Sequence, residues 1–437
     1  MGSILVLYHS RQAPLRRAIS DHLYSFRRYS GRPCIYMNMA VRTVPVWIGK
    51  LDIDLVILHT TLLSDRWQPD DFRDVAWRMR HVSRVHSPRV AMPQDEFLNT
   101  DVLVEVLSEI GVDHVFTCAP EEEWATIYGP LVSAGVGMTR VLPGYVEPDT
   151  VLEIDRLARQ VSNRNIDIGY RATKGRPWLG RHGMMKGWVA DAFAAEGRRR
   201  GLRIDISTQP GDTLLGDAWH RFLLSSRYTI GVESGASVLD RDGRIRSCSD
   251  AFVAANPDSS FEEIERHCFA GLDGQLNLKT ISPRHFEACV TRTPQILVEG
   301  TYNGILEAGR HYIPVRSDFG NLSQVLDEVV HADHREMAEE AYADIVAPGR
   351  YGYPAFVDMV LSASRIGAVG RGRRMGLLGR GISGWEHATD GPWWGWIRVR
   401  QRVLPLMRDA LRRAGLLPLI MNARSARRAR RLPRCRT

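Results

Sequence analysis

The sequence predicts an α/β protein: two Rossmann-like units facing a cleft, followed by a basic helical extension. Three observations carry this. Short apolar runs alternate with amphipathic stretches through most of the chain, the mark of parallel sheets covered on both faces. At 437 residues the chain exceeds what one core usually supports. Charge is also divided unevenly. Eighteen of the 58 basic residues, all arginine, lie from Arg365 onward against three acidic ones, so this tail carries +15 and the remainder −7. The overall +8 therefore describes only one end. Hydrophobic content of 44% and charged content of 25% are those of an ordinary globular protein.

Residues 1–150 read as the first unit, with strands at Ile4–Tyr8, Cys34–Met37, Leu55–Leu58, Val90–Met92 and His114–Thr117. Helices are expected over Leu15–Arg27, Asp70–Arg80 and Asp101–Ile110, the last with Thr100 as N-cap. The first strand ends in His9-Ser10-Arg11-Gln12 and lacks the GxGxxG fingerprint, so this half is expected to serve the acceptor. Candidate general bases at its strand ends are Asp95 and Glu96, then His59.

Residues 151–345 read as a second unit. A strand over 165–171 ends in Arg171 and meets a loop rich in Gly, Arg and Lys that contains Arg181. A helix from about Met184 to Arg200 follows, with Lys186 in its first turn, where a cation opposes the macrodipole unless an anion lies there. Strand, loop and helix start together suggest a phosphate cradle. Strands are expected at Leu202–Ile206 and Tyr228–Val232, with a helix at Asp217–Ser225 whose Trp219 and Phe222 read as core. The small-residue turn Glu233-Ser234-Gly235-Ala236-Ser237 leaves room for a ligand at the backbone, with Ser234 inside it and Glu233 at its mouth.

The stretch Ser282–Val315 then gives helix, strand, turn, helix and strand, with Glu287 on the first helix and Gly300, Thr301 and Asn303 in the turn. Ligands of open α/β sheets bind at such strand ends. The runs PRHFEACVTRTPQILVE and EAGRHYIPVRSDFGNLSQVLDEV resemble the C-terminal donor-binding domain of GT-B glycosyltransferases, closest to the spore-maturation-type branch. That resemblance implies a nucleotide-diphosphate sugar as donor substrate, with no further cofactor. It implies Glu287 on the ribose and Gly300, Thr301 and Asn303 facing the diphosphate. Arg171 and Lys186 are implied as the neutralising pair, with Arg181 as substitute. Eight positions before Glu287, where members carry a second glutamate, this chain has Lys279, and Glu233 is the candidate replacement. Fixed cations at the diphosphate would make a metal dispensable. Asp52-Ile53-Asp54, an Asp-x-Asp ahead of a first-unit strand, reads as structural, so no metal site is expected.

Residues 346–437 are expected to form a helical brace and a basic tail. Trp393, Trp394 and Trp396 lead a basic amphipathic stretch, and 393–434 reads as a binder of anionic membrane surface. A partner protein or a solvated end are the alternatives, and nucleic acid is disfavoured. The six cysteines are scattered and read as incidental thiols. Neither a signal-peptide pattern nor a run of ~18 apolar residues is present. A cytoplasmic enzyme, peripheral on the inner membrane face, is therefore expected, moving a sugar to a glycan or lipid-linked acceptor. A nucleotide-sugar epimerase and a non-catalytic scaffold are the alternatives.

Overall fold

A computed structural model describes residues 2–11, 15–161 and 163–367. The tail 393–434 and Cys435 lie outside the described residues. Six strands form the first sheet: β1 (Ser3–Tyr8), β2 (Cys34–Asn38), β3 (Ile53–Leu58), β4 (Arg89–Ala91), β5 (His114–Thr117) and β6 (Gly137–Arg140). All are parallel, in the order β2-β1-β3-β4-β5-β6. The central strands are apolar on both faces because helices cover both. Ile4, Leu5, Val6, Leu55, Val56 and Ile57 are fully buried, and Leu5 sits between Ile35 and Val56.

The second sheet contains β7 (Ile166–Arg171), β8 (Ile204–Ser207), β9 (Ser226–Gly231), β12 (Gln295–Val298) and β13 (Ile313–Val315). It too is parallel, ordered β13-β12-β9-β7-β8. Short strands β10 (Ser234–Ala236) and β11 (Leu278–Thr280) pair antiparallel beside it. One face packs the helix Gly180–Arg199 through Val189, Ala190 and Phe193 against Ile168, Ile230 and Ile296. The other packs Phe286, Cys289 and Val290 of the helix Pro283–Val290 against Leu297, Tyr302 and Tyr312.

Several contacts tie the two sheets together. Asn99 N donates to the Asp240 carbonyl at 2.7 Å and Asp240 N to the Phe97 carbonyl at 2.8 Å. Trp178 meets Trp67 and Phe97 with ring centroids 5.9 and 6.2 Å apart. The last described helix, Tyr353–Ala363, returns to the first sheet, where Phe356 stacks on Tyr145 at 4.5 Å and meets Phe26 at 5.9 Å.

Local details differ from the sequence expectations for identifiable reasons. β6 was not expected, because Gly137–Arg140 is a half-buried edge strand without an apolar run. Thr100 is the first helical residue, and Asn99, in the left-handed region at φ 53°, holds the N-cap position without a side-chain cap. Cys248 and Cys268 form a disulfide between the helices Arg244–Ala255 and Phe261–Cys268, which neither spacing nor motif signalled. Cys34, Cys118 and Cys289 are buried free thiols. Among the described residues no helix is long and apolar enough to cross a membrane.

Candidate functional site

In the second sheet the chain runs outward in opposite directions from β7 and β9, so their carboxyl ends flank a topological switch point. A crevice opens there, lined by Tyr170 from β7, Thr229, Ile230 and Gly231 from β9, and Val232 and Ser234 just beyond. Lys186, Trp219, Ser282, Arg284 and His285 also line it. Open α/β sheets bind ligands at such points, because helix starts and strand ends leave polar backbone facing a gap.

Two cations face this crevice without protein partners. Lys186 is half-buried and Arg284 exposed, and among the described residues neither side chain makes a hydrogen bond or ion pair. Burial lowers the Lys186 pKa, the Arg284 charge lowers it further, and Asp95 partly opposes both. An anion between Lys186 and Arg284 would relieve both the burial and the repulsion. The helix begins at Gly180, so Lys186 sits in its second turn rather than its first, and burial rather than the helix end makes its charge costly.

The other expected diphosphate cations are already neutralised within the protein. Arg171 donates to Asp205 Oδ1 at 2.7 Å and to the Asp205 carbonyl at 2.9 Å, with its guanidinium over the Phe222 ring. Arg181 is exposed and held by Glu262, Glu265 and Asp273. Arg284 was not singled out from the sequence, although it stands in the first turn of the helix Pro283–Val290. The macrodipole reasoning applied to Lys186 would have found it.

Glu287 lies one turn beyond Arg284. Its Oε2 accepts from the Trp219 indole at 2.7 Å, and burial raises its pKa against that bond and the Arg284 charge. Trp219 thus lines the crevice and orients a carboxylate, where the sequence suggested core packing. Glu233, expected near a sugar, is instead buried under the turn after β12. It accepts from Tyr302 N at 2.7 Å and Thr301 Oγ1 at 3.0 Å, and a Cβ on Gly300 would strike it. Two donors of that turn, Tyr302 N and Thr301 Oγ1, are therefore occupied by a protein carboxylate. Asn303, at φ 57°, ties the same turn to β11 by accepting from Thr280 Oγ1 at 3.1 Å and Ile281 N at 2.6 Å. The room left by Gly235, at φ 125°, is taken by the Leu278 carbonyl of the partner strand rather than by space for a ligand.

The candidate bases of the first sheet divide sharply. His59 is fully buried. Its Nδ1 accepts from Thr61 N at 3.2 Å and its Nε2 lies 2.8 Å from His22 Nδ1, so both ring nitrogens are engaged within the protein. Glu96 is likewise fully buried, accepting from Thr117 Oγ1 at 2.6 Å and Cys118 N at 2.9 Å, and burial raises its pKa. Asp95 is exposed and, among the described residues, its carboxylate has no partner, while its charge acts on Lys186. The left-handed backbone at Asp95, φ 56°, is held by buried Arg66, which donates to the carbonyls of Gln94, Asp95, Leu98 and Leu63. Asp54 pairs with Arg32, as expected of a structural residue. Among the described residues no three metal-ligating side chains gather.

Two Rossmann-like domains facing a cleft, with a ligand crevice at the second sheet's switch point, form a GT-B-type architecture. No protein-family profile and no curated protein matches the chain. Among solved structures it is similar to Anabaena HepE in complex with UDP, at 12% identity and a TM-score of 0.43, over 83% of this chain and 100% of that one. It is also similar to a UDP-forming α,α-trehalose-phosphate synthase from Burkholderia xenovorans, at 11% identity and a TM-score of 0.42, over 85% of this chain and 100% of that one. A third is AviGT4, a glycosyltransferase involved in avilamycin A biosynthesis, at 10% identity and a TM-score of 0.39, over 84% and 97% of the two chains.

Proposed function

We propose that this chain is a glycosyltransferase that takes a sugar from a nucleoside diphosphate and passes it to an acceptor hydroxyl entering from the first sheet. The observation that carries the reading is the pair of cations, Lys186 and Arg284, unpartnered among the described residues at the switch-point crevice. As the sugar–phosphate bond breaks, negative charge grows on the departing diphosphate. Fixed cations at the crevice stabilise that charge more than they stabilise the intact donor. In this reading the two cations supply the neutralisation, and no metal is required.

The remaining roles follow from the chemistry of each group. Glu287 has one oxygen held by Trp219 and the other unpartnered among the described residues, which suits a ribose hydroxyl. Asp95, exposed and left unpaired on the facing loop, suits the base that takes the acceptor proton. The turn at Gly300, Thr301 and Asn303, braced by Glu233, acts as a rigid wall rather than a direct phosphate ligand. Residues 1–150 would serve the acceptor, 151–345 the donor, and 346–437 would brace the first domain and reach an anionic membrane surface through 393–434. That surface would present a glycan or lipid-linked acceptor.

The test is to incubate the full chain with a panel of nucleotide sugars and follow diphosphate release with and without candidate acceptors. Acceptor-dependent release, lost in Lys186→Ala and Glu287→Ala, is expected. Release that persists in both variants contradicts the site, and sugar conversion without any acceptor contradicts the reaction.

A further inference from the structure

A third unpartnered cation stands apart from the pair that faces the crevice. Lys279 lies on β11, set opposite Gly235 by the antiparallel pairing with β10. Its side chain is exposed and, among the described residues, makes no hydrogen bond or ion pair. Its charge acts on the ring of His182, as does that of Lys186. His182 Nε2 lies 3.3 Å from the Ser234 carbonyl, and Ser234 lines the crevice. Lys279 is therefore a neighbour of the crevice, displaced toward the two-stranded ribbon.

Arg140 reaches the same place from the end of β6 in the first sheet. Its Nη2 donates to the Lys279 carbonyl at 3.4 Å, and its Nε is buried with no hydrogen-bond partner. No carboxylate pairs with Arg140 or Lys279 among the described residues. A buried guanidinium N–H without an acceptor costs free energy that a bound anion would recover. The diphosphate is served by Lys186 and Arg284, so this second pair calls for a second anion. Arg140 ties this part of the ribbon to the first sheet, and in this proposal the sugar on a diphosphate held at the crevice extends toward it.

We propose that the donor sugar is acidic, a hexuronate whose carboxylate is received by Lys279 and Arg140. Arginine and lysine beside one carboxylate make charge-assisted hydrogen bonds that a neutral hexose cannot replace. Specificity follows from the converse as well: a neutral sugar leaves the buried Arg140 Nε without an acceptor. This inference rests on the nucleotide-sugar reading above.

The experiment is a calorimetric titration of the full chain, without acceptor, with UDP, UDP-glucose and UDP-glucuronate, and in parallel with GDP, GDP-mannose and GDP-mannuronate. In the series whose free diphosphate binds, the uronate should bind about 10- to 100-fold more tightly than the neutral sugar, the worth of a charge-assisted bond. Lys279→Glu should invert that ratio, and Arg140→Gln should shrink it. Equal or tighter binding of the neutral sugar to the unaltered protein overturns the acidic-sugar inference and leaves the transferase reading intact. Failure of both free diphosphates to bind the folded protein overturns both.

Discussion

Each sheet has a switch point, and the two are furnished in opposite ways. In the first sheet, the strand ends of β1 and β3 are packed with polar side chains that pair with one another, while His9 Nε2 is buried without a hydrogen-bond partner among the described residues. His59 meets His22 and Thr61, His9 Nδ1 meets Asp65 at 2.8 Å, and Ser10 N meets Asn38 Oδ1 at 3.1 Å. In the second sheet, the ends of β7 and β9 face Lys186 and Arg284, which are unpaired among the described residues. On the proposed reading, one topology thus yields a plug in one domain and a socket in the other. Paired polar groups should govern stability, and unpaired ones should govern binding and turnover.

The largest effects should come from the residues that shape the facing loop. Arg66→Leu strands four carbonyls in a buried site and should cost about 3–5 kcal/mol of stability in chemical denaturation. A loss within the scatter of ordinary surface substitutions would break the claim that Arg66 builds this loop. Asp95→Asn, by contrast, should leave stability alone and lower acceptor-dependent turnover by about 10²- to 10⁴-fold, with donor affinity retained. Turnover close to that of the unaltered protein would remove Asp95 as the base.

Acid provides a smaller test of the plug. Burial lowers the His22 pKa from 6.5 to about 4. Between those values the unfolded chain binds more protons than the folded one, so stability is full above about pH 6.5 and falls as pH drops toward 4. The expected loss is about 3 kcal/mol from this group alone. Urea midpoints measured across pH 7 to 4.5 should show it, and His22→Gln, which keeps an acceptor for His59, should flatten the slope. An unchanged slope in that variant would show that the acid sensitivity lies elsewhere.

Much of the fold was legible because parallel strands buried on both faces are written as unbroken apolar runs, such as Ile4–Tyr8 and Gln295–Val298. The half-buried strand Gly137–Arg140 has no such run and escaped notice. The candidate site was legible in its location but not in its pairing. Arg171, Arg181 and Lys186 are equally basic in sequence, yet Asp205, Glu262, Glu265 and Asp273 neutralise the first two only after folding. Asp95 and Glu96 are adjacent, and a left-handed backbone sends one to solvent while the other is buried against Thr117. Arg284 was in plain view three residues from Glu287. It stands in the first turn of its helix, where a cation opposes the dipole.

The smallest of the expected effects bears most directly on the central contrast. Calorimetric titration of a nucleoside diphosphate should show Lys186→Ala and Arg284→Ala each weakening binding by about 10- to 100-fold. Melting temperatures should be unchanged or raised, because each variant removes a cation the protein itself never paired. Undiminished diphosphate affinity in the Lys186→Ala/Arg284→Ala double variant would contradict the account, since the second switch point would then not be the socket.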